Sequence, residues 1–199
     1  MADITDATKP YTQFAAFRKW YDMLVERQHL PEPKDGYDTA RALWTWIIQA
    51  GYFNLLHDHG WCIYTTPLGS VPHNDPLVVV VQRLNEGRDD FELCGVLVAD
   101  DYVRDSWEKR EEQVVGFVKS IAHQKEHQLH EDGVFAIVPK GTMVRFYWLD
   151  SEGVLKPYPL VGEQVFQVKE DEKEIMGVLR HIHGRFAGFV AEGGEKSSR

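Results

Sequence analysis

Apolar residues recur along this chain in two rhythms, and the change from one to the other marks out the elements. After Pro10, the residues Phe14, Phe17, Tyr21 and Leu24 follow at three- and four-residue steps, the stripe of an amphipathic helix. Leu30-Pro-Glu-Pro-Lys-Asp-Gly36 stops it, because two prolines and a glycine do not continue a helix. A second helix follows, with Asp38 or Thr39 as its cap and Ala40, Leu43, Trp44, Ile47, Ile48 and Gly51 as its stripe. It is predicted to fade near His57-Asp-His-Gly60.

The rhythm then shortens. Trp61–Thr65 predicts a first strand, followed by a loop over 67–76 rich in turn residues. Leu77–Val81 is continuously apolar and β-branched, the pattern of a strand buried on both faces. A turn at Asn85–Asp90 leads into a third strand, Phe91–Val98. A long helix is expected over about Asp101–His130, its inward stripe being Trp107, Val114, Phe117, Val118, Ile121 and Ala122. Gly133–Val138 reads as another buried strand, Lys140-Gly141 as a turn, and Met143–Leu149 as a strand with Val144, Phe146 and Trp148 on one face. Asp150–Gly153 has hairpin-loop chemistry. Pro157 and Pro159 restrict Val154–Leu160 to an edge strand or an irregular return, and Gln164–Val168 is a further candidate strand. Ile175, Val178, Leu179, Ile182, Phe186 and Phe189 define a last helix, and the Gly, Ser and charged tail over 192–199 is expected to be disordered.

These elements make an α+β protein, one domain over residues 1–199. The hydrophobic fraction of 43%, with six Trp and ten Phe, is enough for a sizeable core. Net charge narrows the partners. At −9, the chain is repelled by a phosphate backbone unless its basic residues are gathered on one face. Lys and Arg are instead interleaved with acids, as in Asp105-Ser-Trp-Glu-Lys-Arg-Glu-Glu112. Nucleic acid is therefore disfavoured, and a protein or small-molecule partner is expected. Cys62 and Cys94 lack CxxC spacing and suggest a reducing compartment. The first ten residues carry no apolar signal region and no apolar run approaches membrane-spanning length, so the expected location is cytoplasm or nucleus.

The chemistry-bearing residues come in an order. Asp75 stands just before the second strand, Glu92 near the start of the third, and Cys94 two residues on. Gln113-Val-Val-Gly-Phe117 lies on the following helix. Helix, three strands, helix, strand over about residues 36–150 resembles the restriction-endonuclease-like, or PD-(D/E)XK, superfamily. The expected architecture is its αβββαβ core with extra N- and C-terminal helices, the last over about 170–190. The resemblance implies Mg²⁺ held by Asp75 and Glu92, with Gln113 matching the Gln of the RecB-like Q-x-x-x-Y pattern. The run Gly133–Asp150 resembles a stretch in fungal-type members of the group. Alternation along a strand puts residues 92 and 94 on one face. Position 94, where the family has Lys, holds Cys, whose thiol supplies no ammonium. Arg110 or Lys140 would have to take that part, Arg110 being the better placed on its helix. The implied metal site is thus a degraded one, and a binding or interaction module is the favoured reading over an Mg²⁺-dependent nuclease.

Two other readings compete. His123-Gln-Lys-Glu-His127 matches H-x-x-E-H, and His130 adds a third imidazole. On a helix these three lie opposite the apolar stripe and face water. Separately, Trp44, Trp46, Tyr52, Trp107, Phe146 and Trp148 could line a pocket for a small apolar ligand, although aromatics at these spacings more often form core.

Overall fold

The computed structural model describes residues 10–27, 39–51, 61–67, 77–84, 91–98, 106–122, 127–129 and 133–187. A short 3₁₀ turn, Tyr11–Gln13, precedes helices α1 (Ala15–Arg27) and α2 (Thr39–Gly51). Strands β1 (Trp61–Pro67), β2 (Leu77–Leu84) and β3 (Phe91–Val98) follow, then helix α3 (Trp107–Ala122). Strands β4 (His127–Leu129), β5 (Val134–Lys140), β6 (Met143–Leu149), β7 (Leu155–Pro157) and β8 (Phe166–Gln167) lead to helix α4 (Glu172–Ala187). The chain is mixed α and β, with the eight described strands in one sheet.

The sheet runs β1-β2-β3-β5-β6-β7. β1, β2 and β3 form an antiparallel meander, while β3 and β5 are parallel and joined through α3. A parallel pair requires such a crossover. β6 returns antiparallel to β5, and its outer edge carries β7 at one end and β8 at the other. Pro157 is tolerated there because β7 is a short edge strand.

Two cores lie on opposite faces of this sheet, and the alternation of β5 and β6 divides their residues between them. Phe135, Ile137, Val144, Phe146 and Trp148 join a large aromatic-rich core with residues of α1, α2 and α4. Val134, Ala136, Val138, Tyr147 and Leu149 pack with Val96 and with Val114, Phe117 and Val118 of α3. Residues 133–139 of β5 and its approach are all buried, as expected for a strand covered on both sides. Burying each large apolar side chain contributes about 1.5–3 kcal/mol. Of the stripes predicted for α2 and α4, Ala40, Leu43, Trp44, Ile47, Ile48 and Ile175, Val178, Leu179, Ile182 are buried, while Phe189 lies outside the described residues.

Glycines fix two close approaches. The ring of Phe135 covers Gly95 on the neighbouring strand, and a Cβ at 95 would lie 2.1 Å from Cζ of that ring. Gly141 has φ +58° in the two-residue loop between the paired residues Lys140 and Met143, where a glycine accepts the left-handed backbone. The Asp150–Gly153 loop closes as its composition predicts. Asp150 Oδ1 accepts from the backbone N–H groups of Glu152 (3.1 Å) and Val154 (2.9 Å).

The chain departs from the expected pattern after Ala122. The helix predicted to run to His130 stops there, and His127–Leu129 form β4, parallel to Phe91–Leu93. Backbone groups at the start of β3 need partners, and pairing meets that need against the weak helical preference of a polar segment. β4 and β5 share one edge of β3. Phe91 faces His127 and Gly95 faces Phe135, so four residues of β3 (95 − 91) correspond to eight on its partner (135 − 127). His127 therefore lacks the helical spacing assumed for H-x-x-E-H; His123 and His130 lie outside the described residues, as does the tail from Glu192.

Candidate functional site

The β2–β3 register governs the acids singled out in the sequence. Val78 faces Val98 and Arg83 faces Glu92, so β2 begins where β3 ends. Glu92 is level with a residue six positions along β2 from Leu77, about 20 Å of strand. Asp75 itself lies outside the described residues. One divalent ion needs its oxygen ligands within about 2.6 Å of itself. The register also slips between Val81 and Gln82, which face Gly95 and Leu93, leaving Cys94 as the extra residue of a bulge. The strict alternation that would put 92 and 94 on one face is interrupted there. Cys62 and Cys94 belong to strands separated by β2, roughly 10 Å apart, beyond the reach of a disulfide.

Arg110 and Lys140 meet at the end of β5, and Gln113 follows on α3. β3 and β5 both end at the edge of the sheet where α3 begins, and ligands of open α/β sheets favour such carboxyl ends. Arg110 projects from the first turns of α3, is 1% exposed, and donates from Nη1 to the Pro139 carbonyl at 2.9 Å. Its guanidinium ties α3 to the end of β5. Gln113 is half-buried two residues beyond Glu111.

A polar cluster surrounds that point. Helical spacing puts Trp107 and Glu111 on one side of α3, and strand alternation puts Arg145 and Tyr147 on the facing side of β6. The Tyr147 hydroxyl donates to Glu111 Oε1, and Arg145 Nη1 approaches the Tyr147 oxygen at 3.4 Å and Glu111 Oε1 at 3.6 Å. The Arg145 guanidinium stands 4.6 Å from the Trp107 ring centre and Lys140 Nζ stands 5.5 Å from it. Arg145 and Glu111 side chains retain 26% and 30% exposure, so the cluster reaches solvent. The buried Arg145 Nε finds no acceptor among the described residues, a state that costs on the order of 1–3 kcal/mol.

Titration follows from these contacts. Burial pushes the Tyr147 phenol well above its ordinary value, the Glu111 hydrogen bond adds to this, and Arg145 opposes it. The exposed Glu108 carboxyl is held below the usual range, first by its own backbone N–H, then by the Ser106 hydroxyl, with Arg145 and Lys140 contributing. Glu111, Arg145 and Tyr147 escaped the sequence reading. Their signal, an i, i+4 pair on a helix and an i, i+2 pair on a strand, carries meaning only once α3 is known to cover β6.

The aromatics proposed as a pocket lining divide between the two faces. Trp44, Phe146 and Trp148 belong to the large core, whereas Trp107 borders the α3 core. Tyr52 lies outside the described residues. On the large-core face, the buried Tyr158 hydroxyl meets His181 Nδ1 at 2.9 Å, and Arg185 stands 4.3 Å over Trp148. These contacts dock α4 against β6 and the turn after β7. No described helix is long and apolar enough to cross a membrane. No protein-family model, curated protein or solved structure matches the chain.

Proposed function

We propose that this protein is a binding module built on a restriction-endonuclease-like core whose metal site has degenerated. The order α2, β1, β2, β3, α3, β5 agrees with the helix, three strands, helix, strand sequence of that core, with β4 as an insertion. The observation that carries the reading is the hairpin register. Glu92 and the start of β2 stand at opposite ends of the β2–β3 pair, about 20 Å apart along the strand, which disfavours an Asp75–Glu92 pair on one Mg²⁺. The proposed stand-ins for the missing Lys lie at the far end of β5, Arg110 on the Pro139 carbonyl and Lys140 against the Trp107 ring.

The test is a cleavage assay on single- and double-stranded DNA and RNA with Mg²⁺ or Mn²⁺, run beside Asp75→Ala and Glu92→Ala. The expected result is no cleavage that depends on either carboxylate. Cleavage that disappears in Glu92→Ala would restore the nuclease and overturn the binding-module reading.

A further inference from the structure

We infer that the carboxyl end of the β3–α3–β5 unit binds a small, multiply charged oxyanion, seated against Lys140 and Arg145 beside Trp107. The inference rests on the binding-module reading and supplies its ligand class. In a chain of net charge −9, two cations converge on one aromatic ring at the end of a parallel strand pair. Lys140 forms no ion pair among the described residues. Arg145 engages Tyr147 and Glu111 through Nη1 alone. A guanidinium and an ammonium beside one ring suit phosphoryl or carboxylate oxygens, the first by directional N–H donation and the second as a compact charge.

The arrangement has its own opposing groups. Glu111 neutralises part of Arg145, and Tyr147 holds the Glu111 carboxylate in place from below. Glu108, exposed on the first turn of α3, feels both Arg145 and Lys140 and competes for them. The helix end itself is not the attraction, since the Ser106 hydroxyl already accepts from the Lys109 N–H at 3.3 Å. A ligand would displace the influence of Glu108 and occupy the side of the cluster open to solvent.

The test follows the indole N–H resonance of Trp107, assigned with Trp107→Phe, during titration with pyrophosphate or citrate. Divalent metal is left out, and sodium chloride at matched ionic strength serves as control. A saturable shift with either anion, absent with chloride, is expected. Lys140→Ala should weaken it by roughly tenfold, the loss of one charge-assisted contact. Glu108→Gln should tighten it by a few-fold. A response to pyrophosphate alone identifies a phosphoryl ligand and one to citrate alone a carboxylate ligand. No saturable shift with either anion, or unchanged binding in Lys140→Ala, overturns the site. Because the readout is metal-free, its failure is separable from any result of the cleavage assay.

Discussion

The two faces of the sheet are closed differently. One is covered by α1, α2 and α4 over a core rich in Phe, Trp and Tyr. Among the described residues the other carries α3 alone, over a core mostly of Val, Ala and Leu with Phe117 and Tyr147, and its edge is finished by ionic and aromatic contacts around Trp107. A face shared by three helices can bury nearly everything it meets. On the α3 face, the polar side chains of Glu111, Arg145 and Tyr147 complete the seam beside Trp107. The first arrangement holds the fold, while the second leaves chemistry within reach of solvent.

Substitutions can break this contrast. Phe146→Ala on the three-helix side should cost about 3–5 kcal/mol in denaturant unfolding, through lost burial and the cavity left behind. Val114→Ala on the α3 side should cost less, roughly 1–3 kcal/mol. Equal losses would mean that the two cores support the fold alike. Of comparable size is Arg110→Met, which keeps the bulk but leaves the Pro139 carbonyl without its charged donor. The expected loss is about 1.5–3 kcal/mol by the same measurement. An unchanged midpoint would show that the tie between α3 and β5 is dispensable.

The smallest effect should come from Tyr147→Phe, about 1 kcal/mol for one side-chain hydrogen bond. It also has a pH signature. The native state raises the Tyr147 pKa, so it holds the phenolic proton more tightly than the unfolded chain does. The resulting stability is complete below the unfolded phenol value and is lost as pH rises above about 10. Tyr147→Phe should reduce that alkaline slope, leaving the share of Tyr158 and Tyr21, whose phenols burial also raises. An unchanged slope in the variant would assign it to those groups alone.

Much of the fold was legible in the pattern of the chain. β3 and β6 have the bounds their alternation predicts, and α2 buries the stripe its spacing defines. The failures share a cause. β4 is a polar tripeptide whose strand form depends on an unpaired edge of β3, which is a tertiary circumstance. Tyr11 is buried before α1 begins because its hydroxyl reaches the Val168 carbonyl, while Thr12 donates from both its N–H (2.8 Å) and its hydroxyl (2.7 Å) to Glu172. Partners about 160 residues away leave no local mark. The Asp75–Glu92 pair rests on local signals of the same kind, and Asp75 lies outside the described residues. Types and order of residues can be read along a strand, but the level at which two strands meet is set by their ladder.

Gly95 and Phe135 illustrate how such ladders constrain later change. The two face each other on adjacent strands, and the ring occupies the volume that any side chain at 95 would need. Neither can be altered independently. A lineage that enlarges residue 95 must first shrink residue 135, and the intermediate carries either a clash or a hole. The two sites therefore form a single evolutionary unit, and redesign of the central sheet would have to treat them as one variable.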